Sequence, residues 1–470
     1  MGYRVVKFEV DEKHKLYPYF EDCTKKAKNL YNVTNFHIRQ VMTGIQKEPS
    51  KRQENEANVL DNIEHSLPLM SAVRAKNKAK NKVKNLFTMP TTEKWFLSYN
   101  FLDCLLKVTN NTDYYALPAQ VNQQVMKRCI KNWKGYFNAL KQYKKTLAAF
   151  TGQPTIPKYK KSNMDNVIFT SQNCSFVFEN NSCSLFFPKI KEKLNLGNYF
   201  TDKDKLQQVE VAPYYGKFLV SVIIKDKDIQ PKEYKPNRVF AIDPGVNNFA
   251  TISNNIGTTP IIIKGGVIKS RNQYFNKTRA KLLSDLQKGK DSSHSIKSSK
   301  RLNSLSRYRQ NFLRDYFYKI AHSIVSEALN NKVDTIIMGS IEGWKQSVNT
   351  GKQNNQSFVN IPFDKFRRIL EYLCLKNGMQ YIQVNESYTS KASFLDFDEI
   401  PNYGDKDIPE FSGKRIKRGL YKSKTGQIIN ADINGASNIL RKSVPSAFES
   451  INNFDYLLKA DIWNYQKYYK

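Results

Sequence analysis

The stretch Arg238-Val239-Phe240-Ala241-Ile242-Asp243-Pro244-Gly245 decides the fold reading. Residues 238–242 form a short apolar run of the kind seen in buried strands. The run ends on a carboxylate, Asp243, and Pro244-Gly245 then turns the chain. Working outward, residues 248–253 and 259–264 read as two more strands around the turn residues Asn254-Asn255-Ile256-Gly257. Two long basic helices follow near 270–289 and 300–330, and residues 333–338 make another apolar strand. A polar, Asn- and Gln-rich loop covers 346–360. Pro362 opens a helix with Phe366, Ile369, Leu370, Leu373 and Cys374 on one face, and Gly378 stops it. Residues 380–384 are a strand leading into Glu386, and Asp432 opens a last helix beside the small Gly435 and Ala436. This succession of strands and helices is an α/β pattern around one mixed sheet.

Upstream the pattern differs. Residues 3–10 alternate as a strand does, and from Tyr17 the period becomes helical through Phe20, Cys23, Ala27, Leu30, Tyr31, Thr34 and Ile38. Residues 45–66 are polar and read as a loop. The clearest helix starts at Pro118 and runs to about 147. Its apolar face is Val121, Val125, Cys129, Trp133, Tyr136, Phe137, Leu140 and Tyr143. Its other face carries Lys127, Arg128, Lys131 and Lys134, either a solvated surface over a core stripe or a groove for a phosphate backbone. Residues 167–170, 176–179, 184–187, 208–212 and 218–224 are short strands, the last two flanking the turn Tyr214-Tyr215-Gly216. Lys158 and Lys160 stand at the approach to this β region, and 230–236 reads as a linker.

The chain has 470 residues, and 75 Lys+Arg against 42 Asp+Glu leave a net charge of +33. Well-behaved small surfaces carry charges of about 2–8 in magnitude, so the excess implies a polyanionic partner. Nucleic acid is the main candidate, since each neutralised phosphate releases counterions. A membrane surface is the rival, but the basic residues are spread along the whole chain. No run of 18 apolar residues exists and the N-terminus lacks a signal-peptide core, so a cytoplasmic, nucleoid-associated protein is expected. The six cysteines form no CxxC pair and the five histidines no metal-ligand spacing, so neither zinc chemistry nor a histidine nuclease is expected.

That leaves oxygen ligands. Asp243 and Glu386 end strands and Asp432 starts a helix, and strand ends converge in a sheet. Hard carboxylates without His or Cys suit Mg²⁺, or Mn²⁺. Phosphodiester hydrolysis uses such sites, with two ions about 3.5–4 Å apart. Taken singly, an acid after a strand is unremarkable in a chain with 42 of them, and the trio stands as either a metal site or a coincidence of spacing.

The segment Phe240-Ala241-Ile242-Asp243-Pro244-Gly245-Val246-Asn247-Asn248-Phe249-Ala250 resembles the first RuvC motif of the TnpB family, the transposon-encoded OrfB proteins related to type V CRISPR effectors. Gly343-Trp344-Lys345-Gln346 is similar to a further family signature. Residues 385–396 resemble the second RuvC motif, and 413–421 with 430–439 the third. Weaker likeness lies at Leu30-Tyr31-Asn32, Arg39-Gln40 and Pro157-Lys158-Tyr159.

The resemblance implies an RNase H-like (RuvC) nuclease domain over 237–446. It also implies a wedge-like β domain formed by 1–16 and 150–236, with a helical recognition lobe inserted at 17–149 and a tail at 447–470. By motif, Asp243, Glu386 and Asp432 are the metal-binding catalytic acids. The implied activity is RNA-guided DNA cleavage. The guide RNA comes from the transposon end, and the target is double-stranded DNA beside a short adjacent motif. Candidate nucleic-acid contacts are Lys127, Arg128, Lys131, Lys134, Lys158, Lys160, Lys345, Lys414, Arg415, Lys417 and Arg418. A guided repressor that has lost cleavage is the first alternative, though it would be expected to have broken acids. A miniature CRISPR effector with another guide source is the second. One departure stands out. Many relatives carry a zinc ribbon between the second and third acids, whereas residues 387–431 contain no cysteine. The insert at 397–430 is therefore expected to form a zinc-free hairpin, with 420–421 pairing with 427–429.

Overall fold

The computed structural model describes residues 2–79, 86–147, 150–226, 235–289, 291, 298–340, 361–402, 404–405 and 407–464. The chain divides into two units, residues 3–226 and the residues from 227 onward.

The first unit combines strands and helices. Strands β1 (Gly2–Val10), β2 (Val167–Thr170), β6 (Lys205–Tyr214) and β7 (Lys217–Asp226) form a sheet in the order β1-β7-β6-β2. β3 (Ser175–Glu179), β4 (Ser182–Phe186) and β5 (Lys193–Gly197) form a second. The β6–β7 hairpin turns through Tyr215 and Gly216, both at positive φ (46° and 81°), the backbone a tight hairpin needs. The helices are α1 (Tyr17–Gly44), α2 (Glu54–Ala79), α3 (Tyr99–Val108), α4 (Thr112–Tyr115) and α5 (Ala119–Lys145). Pro118 is the N-cap of α5, and Trp133 is fully buried with its indole N–H donated to Asn35 Oδ1 at 2.9 Å.

The expected loop at 45–66 is corrected, because α2 begins at Glu54. Apolar residues are sparse over 45–66, but Val59, Leu60 and Ile63 are buried there, as is Met70 further along, and Glu56 fixes the first turn by accepting from Gln53 N and Lys47 Nζ. Tertiary packing on α1 thus outweighs a polar composition.

In the second unit six strands form one mixed sheet. These are β8 (Val239–Pro244), β9 (Asn248–Asn254), β10 (Ile261–Lys264), β11 (Thr335–Ser340), β12 (Gln380–Asn385) and β16 (Asp461–Trp463), in the order β12-β11-β8-β9-β10-β16. β8, β9 and β10 run antiparallel in sequence, while β11 is parallel to both β8 and β12. A parallel pair needs a crossover. α6 (Gly266–Gln287) and α7 (Lys300–Asn330) provide the first, and α8 (Phe363–Lys376) the second. α8 stops at Asn377 and the chain turns through Gly378, whose φ of 73° suits glycine.

The sheet is covered on both faces. Phe240, Ile242, Ile336 and Met338 pack with α7 and α8 on one side. Val239, Ala241 and Ile337 pack with Ile433, Ile439 and Leu440 of α9 (Ala431–Ser443) on the other. β16 corrects the reading of 447–470 as a tail. Its three residues extend the sheet by pairing in parallel with β10, and Phe448, Leu457 and Trp463 are core residues. The expected hairpin in the insert is present as β14 (Leu420–Lys422) against β15 (Ile428–Asn430), with β13 (Lys414–Lys417) as a third strand.

Candidate active site

Side chains alternate across a strand, so Val239, Ala241 and Asp243 share one face of β8. The first two lie in the core under α9, and Asp243 follows them onto the same side. Ile382 and Val384 place Glu386, the next residue of that alternation, on this face too. Asp243 and Glu386 thus arise at the carboxyl ends of parallel strands separated only by β11. Asp432 comes from above, in the first turn of α9. There Asn430 caps the helix by accepting from the backbone N–H of Asp432 and Ile433.

Two glycines make the room. A β-carbon on Gly339 of β11 would lie 2.4 Å from Glu386 Oε2. One on Gly435 of α9 would lie 2.8 Å from Asp243 Oδ2. The acids therefore occupy slots that only glycine leaves open.

The electrostatics are those of acids lacking a counter-charge. Burial, then the charge of Asp432, pushes the Asp243 carboxyl up to about 8, with Arg415 pulling the other way. Burial, then Asp243, pushes Glu386 up to about 9. Among the described residues Glu386 Oε1 is a buried oxygen with no hydrogen-bond partner. Asp432 is better served. Asn248 Nδ2 donates to its Oδ2 at 2.6 Å, Lys264 Nζ donates to Asn248 Oδ1 at 3.0 Å, and an Arg415 guanidinium nitrogen lies 3.6 Å from its Oδ1.

Asp243 is coupled to both other acids, yet among the described residues no three His, Cys, Asp or Glu side chains close around a single ion. The donor set still fits hard divalent cations. It is all oxygen, it includes an orphaned buried atom, and its mutual repulsion a cation would relieve.

The insert is tied by carboxylates. Asp396 Oδ2 accepts from Ser393 Oγ, Ser412 Oγ and Lys424 N, and Asp398 accepts from Ser393 N, Ser412 N and Ser412 Oγ. Desolvation alone would raise Asp396, but these donors together hold its pKa below the usual carboxylate value.

The basic candidates separate into two kinds. Lys131, Lys134 and Lys158 are exposed, as are Lys414, Arg415, Lys417 and Arg418 on and after β13. Lys127 is exposed with its amine 5.1 Å over the Tyr99 ring. Arg128 is engaged, since its guanidinium donates to Asp165 Oδ2 at 2.6 Å and Asn166 O at 2.8 Å. Lys160 is also engaged, 4.9 Å over the Tyr31 ring and 3.6 Å from Asp165. Lys345, with its signature Gly343 to Gln346, lies outside the described residues. Sequence reasoning missed Asn248, Lys264 and Gly339. A glycine inside an otherwise apolar strand was the available signal for close approach at Gly339.

Comparison with known proteins agrees with the motifs. Residues 217–345 match the OrfB/IS605 family model, described as a probable transposase, and residues 363–439 match the TNB domain of Cas12f1-like proteins. Between them these matches contain Asp243, Glu386 and Asp432. A TnpB-like protein of Acidianus two-tailed virus is 26% identical over 225 residues, 46% of this chain and 44% of the relative. A TnpB-like protein of Methanocaldococcus jannaschii is 25% identical over 243 residues, 48% of this chain and 80% of the relative.

The chain is similar to TnpB-type proteins.

The chain spans less than half of the viral TnpB-like relative it matches. Among solved structures, a Cas12f1–sgRNA–target DNA complex is similar with a TM-score of 0.47 and 14% identity, over 87% of this chain and 82% of that one. C2c1 of Alicyclobacillus acidoterrestris in complex with single-guide RNA gives a TM-score of 0.31 and 8% identity, over 88% and 69%. Among the described residues, no helix is long and apolar enough to cross a membrane.

Proposed function

We propose that this protein is an RNA-guided DNA endonuclease whose RNase H-like (RuvC) domain hydrolyses phosphodiester bonds of guide-complementary DNA. The observation that carries the chemistry is the set of Asp243, Glu386 and Asp432 on one face of the sheet, with Asp243 raised by burial and Asp432, and Glu386 by burial and Asp243. Asp243, Glu386 and Asp432 would hold Mg²⁺, or Mn²⁺. Bound there, such ions would supply a water of lowered pKa and positive charge against the departing oxygen. Asn248, itself held by Lys264, orients Asp432. Arg415 is exposed beside Asp432 on β13 and suits a phosphate oxygen. The insert needs no zinc in this reading, since the Asp396 and Asp398 bonds hold it.

Guidance by RNA is supported by the net charge of +33, enough to hold two polyanions at once, and by the TnpB-type motifs. A guide from the transposon end and a short motif beside the target complete the proposal. The test is to express the gene with its native flanking DNA, sequence the RNA that co-purifies, and offer the complex a guide-matched duplex. Cutting in Mg²⁺, none in EDTA and none with Asp243→Ala are expected. A matched duplex that is bound but left intact in Mg²⁺ would refute cleavage, and no enriched RNA would refute guidance.

A further inference from the structure

Helix α9 carries Asp432 in its first turn, and its later turns grip the segment that carries Glu386. Asn434, Asn438 and Lys442 stand four residues apart and so form one stripe. Asn434 and Asn438 are fully buried. Asn434 Nδ2 donates to Ala392 O at 2.8 Å, and its Oδ1 accepts from Phe394 N at 2.9 Å. Asn438 Nδ2 donates to Thr389 O at 2.9 Å and to Ala392 O at 2.7 Å. Lys442 Nζ donates to Ser387 O and Pro401 O, both at 3.1 Å.

The gripped segment, 386–394, contains no strand or helix, and Tyr388 within it has a φ of 66°. Its conformation is held by these bonds together with Thr389, which bonds back to Glu386 O, turn bonds from Lys391 N and Ala392 N to Tyr388 O, the Tyr421 hydroxyl on Lys391 O, and the bonds of Ser393 to Asp396 and Asp398. Every bond from the stripe to this segment goes to its backbone and none to the Glu386 carboxylate, while Asn438 Oδ1 accepts from the Arg441 guanidinium at 3.1 Å. A donor placed directly on that carboxylate would occupy lone pairs that a cation uses. Holding the backbone instead fixes the side chain's origin and leaves its oxygens unclaimed, consistent with the orphaned Glu386 Oε1 among the described residues.

We propose that Asn434 and Asn438 are positioning residues that set where Glu386 stands relative to Asp432. The inference rests on the divalent-cation reading above. Helix α9 then serves all three acids. It bears Asp432, opens the slot for Asp243 at Gly435, and places Glu386 through its amide stripe.

The experiment is a double-mutant cycle on the full-length protein, read as Mn²⁺ affinity by calorimetry and as melting temperature. Asn438→Ala is expected to weaken Mn²⁺ binding about 10–100-fold, the range for groups that orient ligands. In the Glu386→Gln background the same substitution should cost nothing further, because the group it orients no longer binds. Lys442→Met acts on the same segment from a half-buried position, should lower affinity in the same direction, and carries the cycle if Asn438→Ala does not fold. Equal losses in both backgrounds, or wild-type affinity in both variants, would overturn positioning. Equal Mn²⁺ affinity of wild type and Glu386→Gln would overturn the metal reading and this inference with it.

Discussion

Gly435→Ala offers a test in which stability and chemistry move apart. Gly435 is buried in α9, three residues after Asp432. An alanine β-carbon there would stand 2.8 Å from Asp243 Oδ2 and 3.6 Å from its Cγ. Optimal contacts between carbon atoms lie near 3.5–4.0 Å, so the carboxylate must retreat by roughly half an ångström or more. The helix itself gains, since alanine is favoured over glycine in a helix interior by about 0.8–1 kcal/mol. That gain offsets the strain of moving one short side chain. The melting temperature should therefore change by no more than about 4 °C, at roughly 2–4 °C per kcal/mol for a unit of this size. Catalysis has no such compensation. Displacements of about 1 Å in a reacting constellation cost about a hundredfold, and a site must be held within about 0.5 Å. The expected outcome is a loss of about 10–100-fold in single-turnover cleavage by the guide-loaded complex in Mg²⁺. Thermal unfolding is followed on the same preparation. Cleavage at the wild-type rate would mean that Asp243 does not work from where the structure holds it. A large fall in melting temperature would mean that the glycine is a packing requirement and that any lost activity reports unfolding.

Three other outcomes follow from the same structure. Asp243 and Glu386 hold their protons more tightly folded than unfolded, so their contribution to stability is complete below about pH 4 and is lost as the pH rises toward about 8 and 9. In EDTA, Asp243→Asn should therefore melt higher than wild type at pH 8, and the gap should close by pH 4–5. Melting curves that stay parallel across pH would refute the raised values. Arg128→Ala should destabilise the first unit by about 1–3 kcal/mol, because it strips a charged donor from Asp165 and the carbonyl of Asn166. Lys131→Ala on the exposed face should leave the melting temperature unchanged and reduce the salt slope of RNA binding by about 1. Equal effects of the two on RNA affinity would contradict the distinction between them.

How much of the candidate site was legible depends on what kind of signal each residue leaves. Asp243 follows an apolar run and precedes Pro244-Gly245, so its place at a strand end could be read directly. Asp432 follows a capping asparagine and precedes small residues, so its helix start was equally plain. Arg128 left no such signal. It stands among Lys127, Lys131 and Lys134 in sequence, and only the arrival of Asp165 from a distant segment separates it from them. The start of the second helix was hidden because few residues of 45–66 are apolar, and its stability comes from the surface of α1. Strand β16 was hidden because three residues show no period, and their pairing partner lies some 200 positions earlier.

The sequence by itself determined the alternation that puts Asp243 and Glu386 on particular faces of their strands, the caps and turns that bound the elements, and the positive charge. These are local or additive properties, and periodicity and composition report them. Tertiary structure alone decided that β11 lies between the strands of those two acids, that its Gly339 leaves the space for Glu386, and that one helix grips the backbone behind Glu386 while bearing Asp432. Strand order and helix docking are set by the packing of the whole core, and no local pattern of residues encodes which distant positions that packing brings together.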